Sequence, residues 1–284
     1  GHQALKVQNV DNANNVAIGY NAAVSMTTGK ENVIIGSAAA DASQDIDQAV
    51  VIGSSAMGNG NATDGADGTV AIGKLALFSL TSGSGNVAIG SSSMDSVTTG
   101  SHNTALGYLA LSNMSANSSH NTAVGRSALL NMSVNDDGNN TALGSEAGDV
   151  ITNGTKNTCI GAGTDPNTNG GTNQTVIGYG TVGQGDNTVT LGDANVTHVC
   201  LGHEGATAVA KAAGFVSNSN YSVEGYSTGR NVIRSIRLNI SPGDTPNTNI
   251  SVDHDTTAGR SFNTPSLTDG TNIANNASSG SFAL

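Results

Sequence analysis

Asn-Val-Ala-Ile-Gly, at Asn86–Gly90, is one of eleven successive copies of a five-residue motif that decides the fold of this 284-residue chain. The copies close with Gly19, Gly36, Gly53, Gly73, Gly90, Gly107, Gly125, Gly144, Gly161, Gly178 and Gly192. A looser twelfth copy lies at His198–Gly202. The closing glycines are mostly 17 residues apart, with steps of 18 to 20 where a loop is longer. Because self-similarity at a fixed period is the signature of stacked repeats, the sequence predicts a solenoid.

Each copy predicts a short β-strand with two different sides. We number positions from the closing glycine, so that −1 is the residue before it. Position −1 is always Ile, Leu or Val, position −3 is always Val or Thr, and position −2 is often Ala. Side chains alternate along a strand, so −1 and −3 share one side. We expect these branched residues to fill the coil, the small residue at −2 to face neighbouring chains, and the glycine to turn the backbone at φ > 0 or at a close approach.

A second row of small-then-apolar pairs follows each glycine and predicts a second short strand. Its clearest members are Ala22-Ala23, Ala56-Met57, Ala76-Leu77, Ala110-Leu111 and Ala128-Leu129. Each coil is then expected to run strand, turn, strand and polar loop. Stacked as parallel strands ~4.8 Å apart, about twelve coils would form a rod of ~55 Å.

Asparagine recurs at position −4 in seven of the eleven copies. These residues are Asn15, Asn32, Asn86, Asn103, Asn121, Asn140 and Asn157. Buried backbone amides must be satisfied, so we expect the stacked side chains to form a ladder that bonds backbone groups at the turn. A coil this thin buries little apolar surface, and oligomerisation is one way to stabilise such a chain. Oligomerisation is therefore expected, and a homotrimer is one solution for a β-roll with one small-residue face.

Composition excludes several classes of partner. The net charge is −11 with only 10 Lys and Arg residues, so the basic footprint of a nucleic-acid binder is missing. No apolar run approaches the ~20 residues of a membrane span, so membrane insertion is not expected. The Gly-rich, Trp-free composition alone would suggest disorder, but every copy places an aliphatic residue before its glycine. The start at Gly1-His2, without an initiator Met or signal peptide, predicts a fragment, a tag remnant or a processed chain.

The repeat resembles the head domains of trimeric autotransporter adhesins, which are left-handed parallel β-roll trimers. The Asn-Thr-Ala-Val/Leu-Gly spelling at Asn103–Gly107, Asn121–Gly125 and Asn140–Gly144, followed by Ala-Leu, is still more similar to bacteriophage tail fibres and tailspikes. In those proteins such repeats commonly precede a C-terminal domain and a self-cleaving intramolecular chaperone of the endosialidase type. The resemblance covers about residues 14–202. It implies an all-β homotrimer, and it suggests that Leu284 marks a cleavage site.

The repeat divides the chain into four predicted parts. Residues 1–13 are a lead-in, 14–202 the β-roll shaft, 203–255 a small β-rich C-terminal tip, and 256–284 a polar extended tail. Within the tip, residues 231–240 alternate in hydropathy, and a Pro-Gly-Asp turn separates them from a second strand at Asn249–Asp255. Residues 231–255 therefore predict a β-hairpin.

The predicted receptor contact lies in the tip, where aromatic and cationic residues concentrate in an otherwise acidic chain. The candidates are Tyr221, Tyr226, Arg230, Arg234 and Arg237. Tyr and Arg dominate recognition surfaces, and Arg forms fork-like bonds with carboxylates. The alternative is a structural hairpin whose arginines pair with acidic residues across subunits.

Catalytic and metal chemistry have little support in the sequence. Glycan-cleaving tailspikes use paired carboxylates in a cleft, whereas this chain has only four Glu, at positions 31, 146, 204 and 224. No enzymatic activity and no cofactor are expected. Asp253, His254 and Asp255 are the best metal candidates, because a trimer could gather three copies of His254 on its axis. The loops Asp64–Gly68 and Asp136–Gly138 lack EF-hand spacing and are expected to be plain turns.

Cys159 and Cys200 occupy the same position, −2, three coil steps or about 14 Å apart. A disulfide needs Cα atoms within ~7 Å, so they are not expected to bond within one chain. If position −2 faces a trimer axis, the three copies of Cys159 would instead lie close together.

The first functional interpretation is a trimeric phage tail fibre or receptor-binding protein on the virion. It would bind a host cell-surface glycan or protein at its tip and other virion tail proteins at its N-terminal side. The head of a bacterial surface adhesin is the alternative. An ice-binding solenoid would need a flat row of Thr pairs, whereas Thr occupies −3 in only five consecutive copies, Thr104 to Thr175. A polysaccharide-degrading tailspike is the enzymatic alternative.

Overall fold

The structure is a computed structural model that describes residues 1–8, 13–114, 117–133 and 137–196, together with the backbone of two short strands at 250–251 and 281–282. The chain divides into two compact units, Gly1–Ala210 and Lys211–Leu284. The twelfth copy, Cys200, the five receptor candidates and Asp253–Asp255 lie outside the described residues.

The first unit is built on eleven three-residue strands, one from each predicted copy of the motif. They are β1 (Val16–Ile18), β2 (Val33–Ile35), β3 (Val50–Ile52), β4 (Val70–Ile72), β5 (Val87–Ile89), β6 (Thr104–Leu106), β7 (Thr122–Val124), β8 (Thr141–Leu143), β9 (Thr158–Ile160), β10 (Thr175–Ile177) and β11 (Val189–Leu191). Consecutive strands pair in parallel in one eleven-stranded sheet. The chain forms a β-solenoid of about 10 turns with ~17 residues per coil, which confirms the predicted all-β solenoid.

The two sides of each strand face opposite to the prediction. Position −2 is fully buried in the middle coils, as at Ala88, Ala105 and Cys159, each 0% exposed. Position −1 faces outward, and Ile18 and Leu106 are 57% and 45% exposed. The interior of so thin a coil has room for Ala beside the backbone, but not for two rows of larger branched side chains. The expectation that −2 faces neighbouring chains was therefore wrong.

The second predicted strand is also wrong, because a run of turns stands in its place. Leu77, Leu111 and Leu129 adopt φ of 49°, 52° and 49°, a left-handed conformation that Leu rarely takes. The backbone N–H of each donates to the neighbouring coil, as Leu111 N does to Ala128 O at 3.0 Å. This turn segment therefore stacks through hydrogen bonds without forming a sheet.

The turn segment carries most of the core. In the coils of β2 to β8, its residues three, four and seven places after the glycine are buried together with position −2. In the sixth coil these are Ala110, Leu111 and Met114, which are at most 1% exposed. The large buried side chains are Met26, Ile34, Ile46, Met57, Leu77, Leu80, Met94, Leu111, Met114, Leu129, Met132 and Ile151. Turn residues thus fill the space that the small strand residues leave.

The closing glycines form a column that no other residue could occupy without distortion. Gly107 has φ +145°, and a Cβ added to it would lie 2.4 Å from the carbonyl oxygen of Gly125. The same contact at 2.0–2.4 Å recurs from Gly19 to Gly161. Both physical reasons predicted for the glycine, the positive φ and the close backbone approach, are confirmed.

The asparagine ladder is confirmed and runs in one direction. Asn103 Oδ1 accepts the backbone N–H of Asn121 at 3.0 Å. Its Nδ2 donates to the carbonyl oxygen of Ser118, in the loop of the following coil, at 2.9 Å. Most ladder residues thus tie their own coil to the strand and the loop of the next one, whereas the Nδ2 of Asn121 donates to Ser118 and Ser119, just before it in the chain. Ala49 and Thr69 interrupt the ladder, and the buried Oγ1 of Thr69 has no hydrogen-bond partner.

The second unit is described only at two strands, β12 (Ile250–Ser251) and β13 (Ser281–Phe282), which pair antiparallel. Strand β12 lies inside the strand predicted at Asn249–Asp255. Its described partner comes from the segment predicted as an extended tail. The first strand of the predicted hairpin lies outside the described residues.

Candidate functional site

The outer face of the sheet is the most distinctive surface among the described residues. Positions −3 and −1 of all eleven strands point outward, and none of these side chains is buried. Every one of them is Val, Ile, Leu or Thr, so the face carries no charge. The stripe runs without interruption from Val16 to Leu191.

The size of the stripe follows from the sheet geometry. Ten spacings of ~4.8 Å and a width of about 10 Å give about 500 Å² of continuous, mostly aliphatic surface. The largest apolar patch of a typical monomer covers about 300–600 Å² and is often functional. The outer face therefore has the dimensions of an interaction surface.

The stripe has two halves of different composition. Strands β1 to β5 present Val at −3 and Ile at −1, so this half is entirely aliphatic. Strands β6 to β10 present Thr at −3 beside Leu, Val or Ile at −1. The second half therefore alternates a row of hydroxyl groups with a row of aliphatic side chains.

Three tyrosines flank the stripe at the residue that follows the glycine. Tyr20, Tyr108 and Tyr179 are 57%, 54% and 84% exposed. Most other coils carry Ser, Lys, Arg or Ala at this place, and Arg126 forms an ion pair with Glu146. Aromatic side chains exposed beside an aliphatic face extend its apolar area.

The opposite flank carries titratable groups at position −5. The rings of His102 and His120 stack with centroids 5.4 Å apart. His120 Nδ1 lies 3.0 Å from Asp137 Oδ1. On the same flank, Gln48 Nε2 donates to Glu31 Oε2 at 3.2 Å. Charge is therefore confined to the borders of the outer face.

An acidic cluster lies on the loops, at Asp45, Asp47, Asp64 and Asp67. A side-chain hydrogen bond with Asp45, followed by the charges of its acidic neighbours, raises the pKa of the fully exposed Asp64. Two of these carboxylates accept backbone N–H groups: Asp47 from Lys30 and Asp67 from Asp47, at 2.7 and 2.8 Å. Within the described ranges, no group of three or more His, Cys, Asp or Glu side chains is arranged to hold a metal ion.

Cys159 is a free, buried thiol inside the ninth coil. Burial, and secondarily the carboxylate of Asp165, raises the pKa of this thiol to about 12. The expectation that copies of Cys159 meet on a trimer axis does not hold for a side chain enclosed by its own coil. A reactive or pairing role would need the coil to open.

The sequence predicts the receptor contact in the tip, which lies outside the described residues, and it does not predict the exposed outer face of the sheet. The signal was present, because the alternation of −3 and −1 against −2 was correctly recognised. The error lay in assigning the larger residues to the inside. The exposed tyrosines carried no separate signal, since they follow the glycine without a fixed period.

No protein-family model matches the chain, and the search of curated proteins finds no significant match. Among the described residues, no helix has the length and apolar character needed to cross a membrane.

Proposed function

We propose that this protein is a homotrimeric fibre or receptor-binding protein, with a left-handed β-roll shaft over residues 14–202 and a small β-rich tip over 203–255. It would attach a phage to its host cell surface without catalysis, and other virion tail proteins would hold its N-terminal side. The head of a bacterial trimeric adhesin is the alternative setting for the same architecture. The observation that carries the proposal is the uncharged outer face of the sheet.

A second and third copy of the chain are the occupants that best suit this face. The stripe is repetitive and has the same chemistry along its length, so identical chains can match it coil by coil in register. Including the flanking row that bears the tyrosines, its area reaches about 700 Å². Standard protein interfaces bury roughly 800 Å² per partner. Charge lies only on the borders, as in interfaces with an apolar core and a polar rim.

Three copies would also serve the proposed adhesion. Linking three weak sites on one rigid shaft makes the second and third binding events intramolecular, which raises avidity without new contacts. The proposed receptor contacts remain Tyr221, Tyr226, Arg230, Arg234 and Arg237. The shaft would position them, and host glycans or proteins would bind them.

The oligomeric state of the full chain tests the interface. Native mass spectrometry of residues 1–284 should give a trimer. The double variant Ile72→Asp/Ile89→Asp places charges at the centre of the outer face and should give monomers that retain the β-sheet circular dichroism. Asn59→Asp adds charge at an exposed position outside the face and should leave the trimer intact. A monomeric wild-type protein, or a trimeric double variant, would contradict the proposal.

Receptor binding has a separate test. A glycan array probed with the trimer should lose its signal with Tyr221→Ala or Arg234→Ala and keep it with Tyr108→Ala. Loss of the signal with Tyr108→Ala alone would move the contact to the shaft.

Ice binding is a second candidate because the five threonines at −3 face outward in one regular row. Thr104, Thr122, Thr141, Thr158 and Thr175 lie on consecutive, in-register strands. Their spacing of ~4.8 Å repeats beside an aliphatic row. A trimer that covers this face could not also present it to ice. A monomer with measurable thermal hysteresis, lost in Thr141→Lys, would select this function instead.

A further inference from the structure

The ninth coil places an acidic residue in a row that is otherwise built from apolar side chains. The row is the fourth residue after each glycine, and its buried members are Ala23, Ala40, Met57, Leu77, Met94, Leu111 and Leu129. Asp165 takes this place after Gly161, and its N–H donates to Thr181 O at 3.0 Å, as the row requires. The backbone therefore continues the stack while the side chain introduces a carboxyl group.

The Asp165 carboxyl group is incompletely satisfied. Its Oδ1 is buried and has no hydrogen-bond partner. Burial raises the pKa of this carboxyl group, and it outweighs the lowering effect of the nearby backbone N–H of Val150. A buried acceptor without a partner is destabilising, and more so when it is charged. The ionised form of this side chain is therefore the unfavourable one.

The charged and titratable neighbours increase that penalty. Asp149 stands one coil earlier, and Cys159 lies in the same coil. Burial and the charge of Asp149 raise the pKa of Asp165 to about 6. Burial and Glu146 also raise the pKa of Asp149, against the lowering effect of Arg126. The following coil faces Asp165 with Thr181 and Val182, which bring no positive charge.

Polar residues also replace the apolar packing around this site. Thr164 and Thr181 are fully buried at a place where most earlier coils carry Ala. The buried Oγ1 of Thr181 has no hydrogen-bond partner. Among the described residues after Ile151, the buried apolar side chains are Cys159, Pro166 and Val176. Little apolar packing is left to hold these coils when the carboxyl group is charged.

We propose that Asp165 is a pH-sensitive switch that tightens the last coils of the described solenoid in mild acid and loosens them at neutral pH. The inference is independent of the proposed function, because it concerns the interior of a single chain.

The sign follows from linkage between protonation and folding. The pKa in the folded state, about 6, lies above the ordinary value of 3.8 for a free Asp. An acid with a raised folded pKa contributes most stability below its unfolded pKa and loses it as pH rises through the folded pKa. Between pH 5 and 7.5 these two values give about a tenfold change in the opening equilibrium.

Hydrogen exchange of the full-length protein tests the switch, after correction for the intrinsic pH dependence of exchange. The amides of residues 158–177 should have an opening equilibrium constant about tenfold larger at pH 7.5 than at pH 5. The opening equilibrium constant of residues 70–107 should not change. Asp165→Asn removes the titration and should abolish the difference. Asp95→Asn, in the fifth coil, where the core is apolar, should leave the pH difference at residues 158–177 unchanged.

Two outcomes would overturn the inference. One is equal opening of residues 158–177 at both pH values in the wild-type chain. The other is a pH dependence that persists in Asp165→Asn. If that variant does not fold, Asp165→Val restores an apolar residue to the row. It should protect residues 158–177 equally at both pH values, and at least as well as the wild type at pH 5.

Discussion

The coils of β1 to β8 and the coils of β9 to β11 share one sheet but enclose different interiors. The first group is packed with Met, Leu and Ile from the turn segment, as at Met57, Leu77 and Leu129. The second encloses Thr164, Thr181 and Asp165. The last step is also shorter, with 14 residues between Gly178 and Gly192. The sheet continues unchanged across both groups, so the strand motif alone does not determine how the interior of a coil is packed.

The contrast between these two groups of coils shows that two sets of interactions are separable in this fold. Hydrogen bonds between strands depend on the backbone, and the glycine column lets coils approach closely. Core packing depends on the turn segment, which varies from coil to coil. In a repeat protein each unit contacts only its neighbours, so stability can differ along one continuous sheet.

Substitution in the glycine column should have the largest effect on stability in the apolar-cored part, which is the group of coils of β1 to β8; the coils of β9 to β11 are the polar-cored part. Gly107→Ala places a Cβ 2.4 Å from the carbonyl oxygen of Gly125 at a φ of +145°. Backbone strain and overpacking together should lower the free energy of unfolding by about 4 kcal/mol. Urea denaturation measures it. Gly180→Ala, where the φ is +59° and no atom lies within 4 Å, should cost only about 1 kcal/mol. Equal losses would show that the close approach is irrelevant.

Truncation of core side chains should have the next largest effect on the unfolding free energy, and this effect should differ between the two parts. Leu111→Ala removes a fully buried side chain and should cost about 3 kcal/mol in unfolding free energy. Val182→Ala changes the corresponding row in the polar-cored part, where Val182 is 50% exposed, and should cost less than about 1 kcal/mol. Thermal unfolding of both variants checks the contrast. A larger loss for Val182→Ala would reverse the assignment of the core.

The asparagine ladder should contribute less than the core but more than a surface amide. Asn103→Ala leaves the N–H of Asn121 and the carbonyl oxygen of Ser118 without their partner. Two unsatisfied buried groups should cost about 2 kcal/mol. Asn113→Ala, at an exposed side chain, is the matched control and should change the unfolding free energy by less than about 0.5 kcal/mol. Similar values for both would mean that water replaces the ladder.

Thiol labelling should report how often each part opens. In a Cys200→Ser background, Cys159 should react slowly with iodoacetamide at pH 8, because burial raises the pKa of its thiol to about 12. Ala105→Cys/Cys159→Ala moves the thiol to the same row of an apolar-cored coil. We expect labelling there to be about tenfold slower, equivalent to ~1.4 kcal/mol. Faster labelling at position 105 would contradict the weaker packing of the last coils.

Repair of the ladder gives the smallest expected effect. Thr69 interrupts the ladder with a buried hydroxyl that lacks a partner. Thr69→Asn would supply an acceptor for the N–H of Asn86 and a second donor for the carbonyl oxygen of Gly83. One step further on, Asn86 makes the equivalent bonds with the N–H of Asn103 and the carbonyl oxygen of Gly100. The gain should be about 1 kcal/mol in chemical denaturation. A loss of stability would indicate that the longer loop of this coil leaves no space for the amide.

The strand positions could be predicted from the sequence because the motif forces them. A glycine such as Gly107 closes each strand at the point where a backbone carbonyl of the next coil approaches. No other residue fits there, so the glycine recurs and makes the period visible in the sequence. Asn103 marks a buried amide for a similar reason. These residues answer to constraints within a few ångströms, which recur in every coil.

The facing of the strands could not be predicted by size alone. Ile89 is larger than Ala88, and burial of the larger residue is the usual expectation. Leu111 and Met114 from the turn segment compete for the same interior and leave room for a small residue at position −2 in most coils, although Ile34 and Val51 are buried there in two early coils. The left-handed φ of Leu111 is unusual for Leu, so the small-then-apolar pair predicts a strand where the chain forms a turn. Asp165 gave no signal, because its burial depends on the facing.

The direction of the asparagine ladder has a consequence for how the chain is built. Every ladder oxygen accepts a hydrogen bond from an N–H that lies later in the sequence. For example, Asn15 Oδ1 accepts the N–H of Asn32 at 2.9 Å. At Gln174 the amide turns back to Asn167 in its own coil, and the ladder ends. During synthesis from the N-terminus, each new coil can therefore add to a coil whose acceptors are already in place. The polar-cored coils are the last of the described coils to be made.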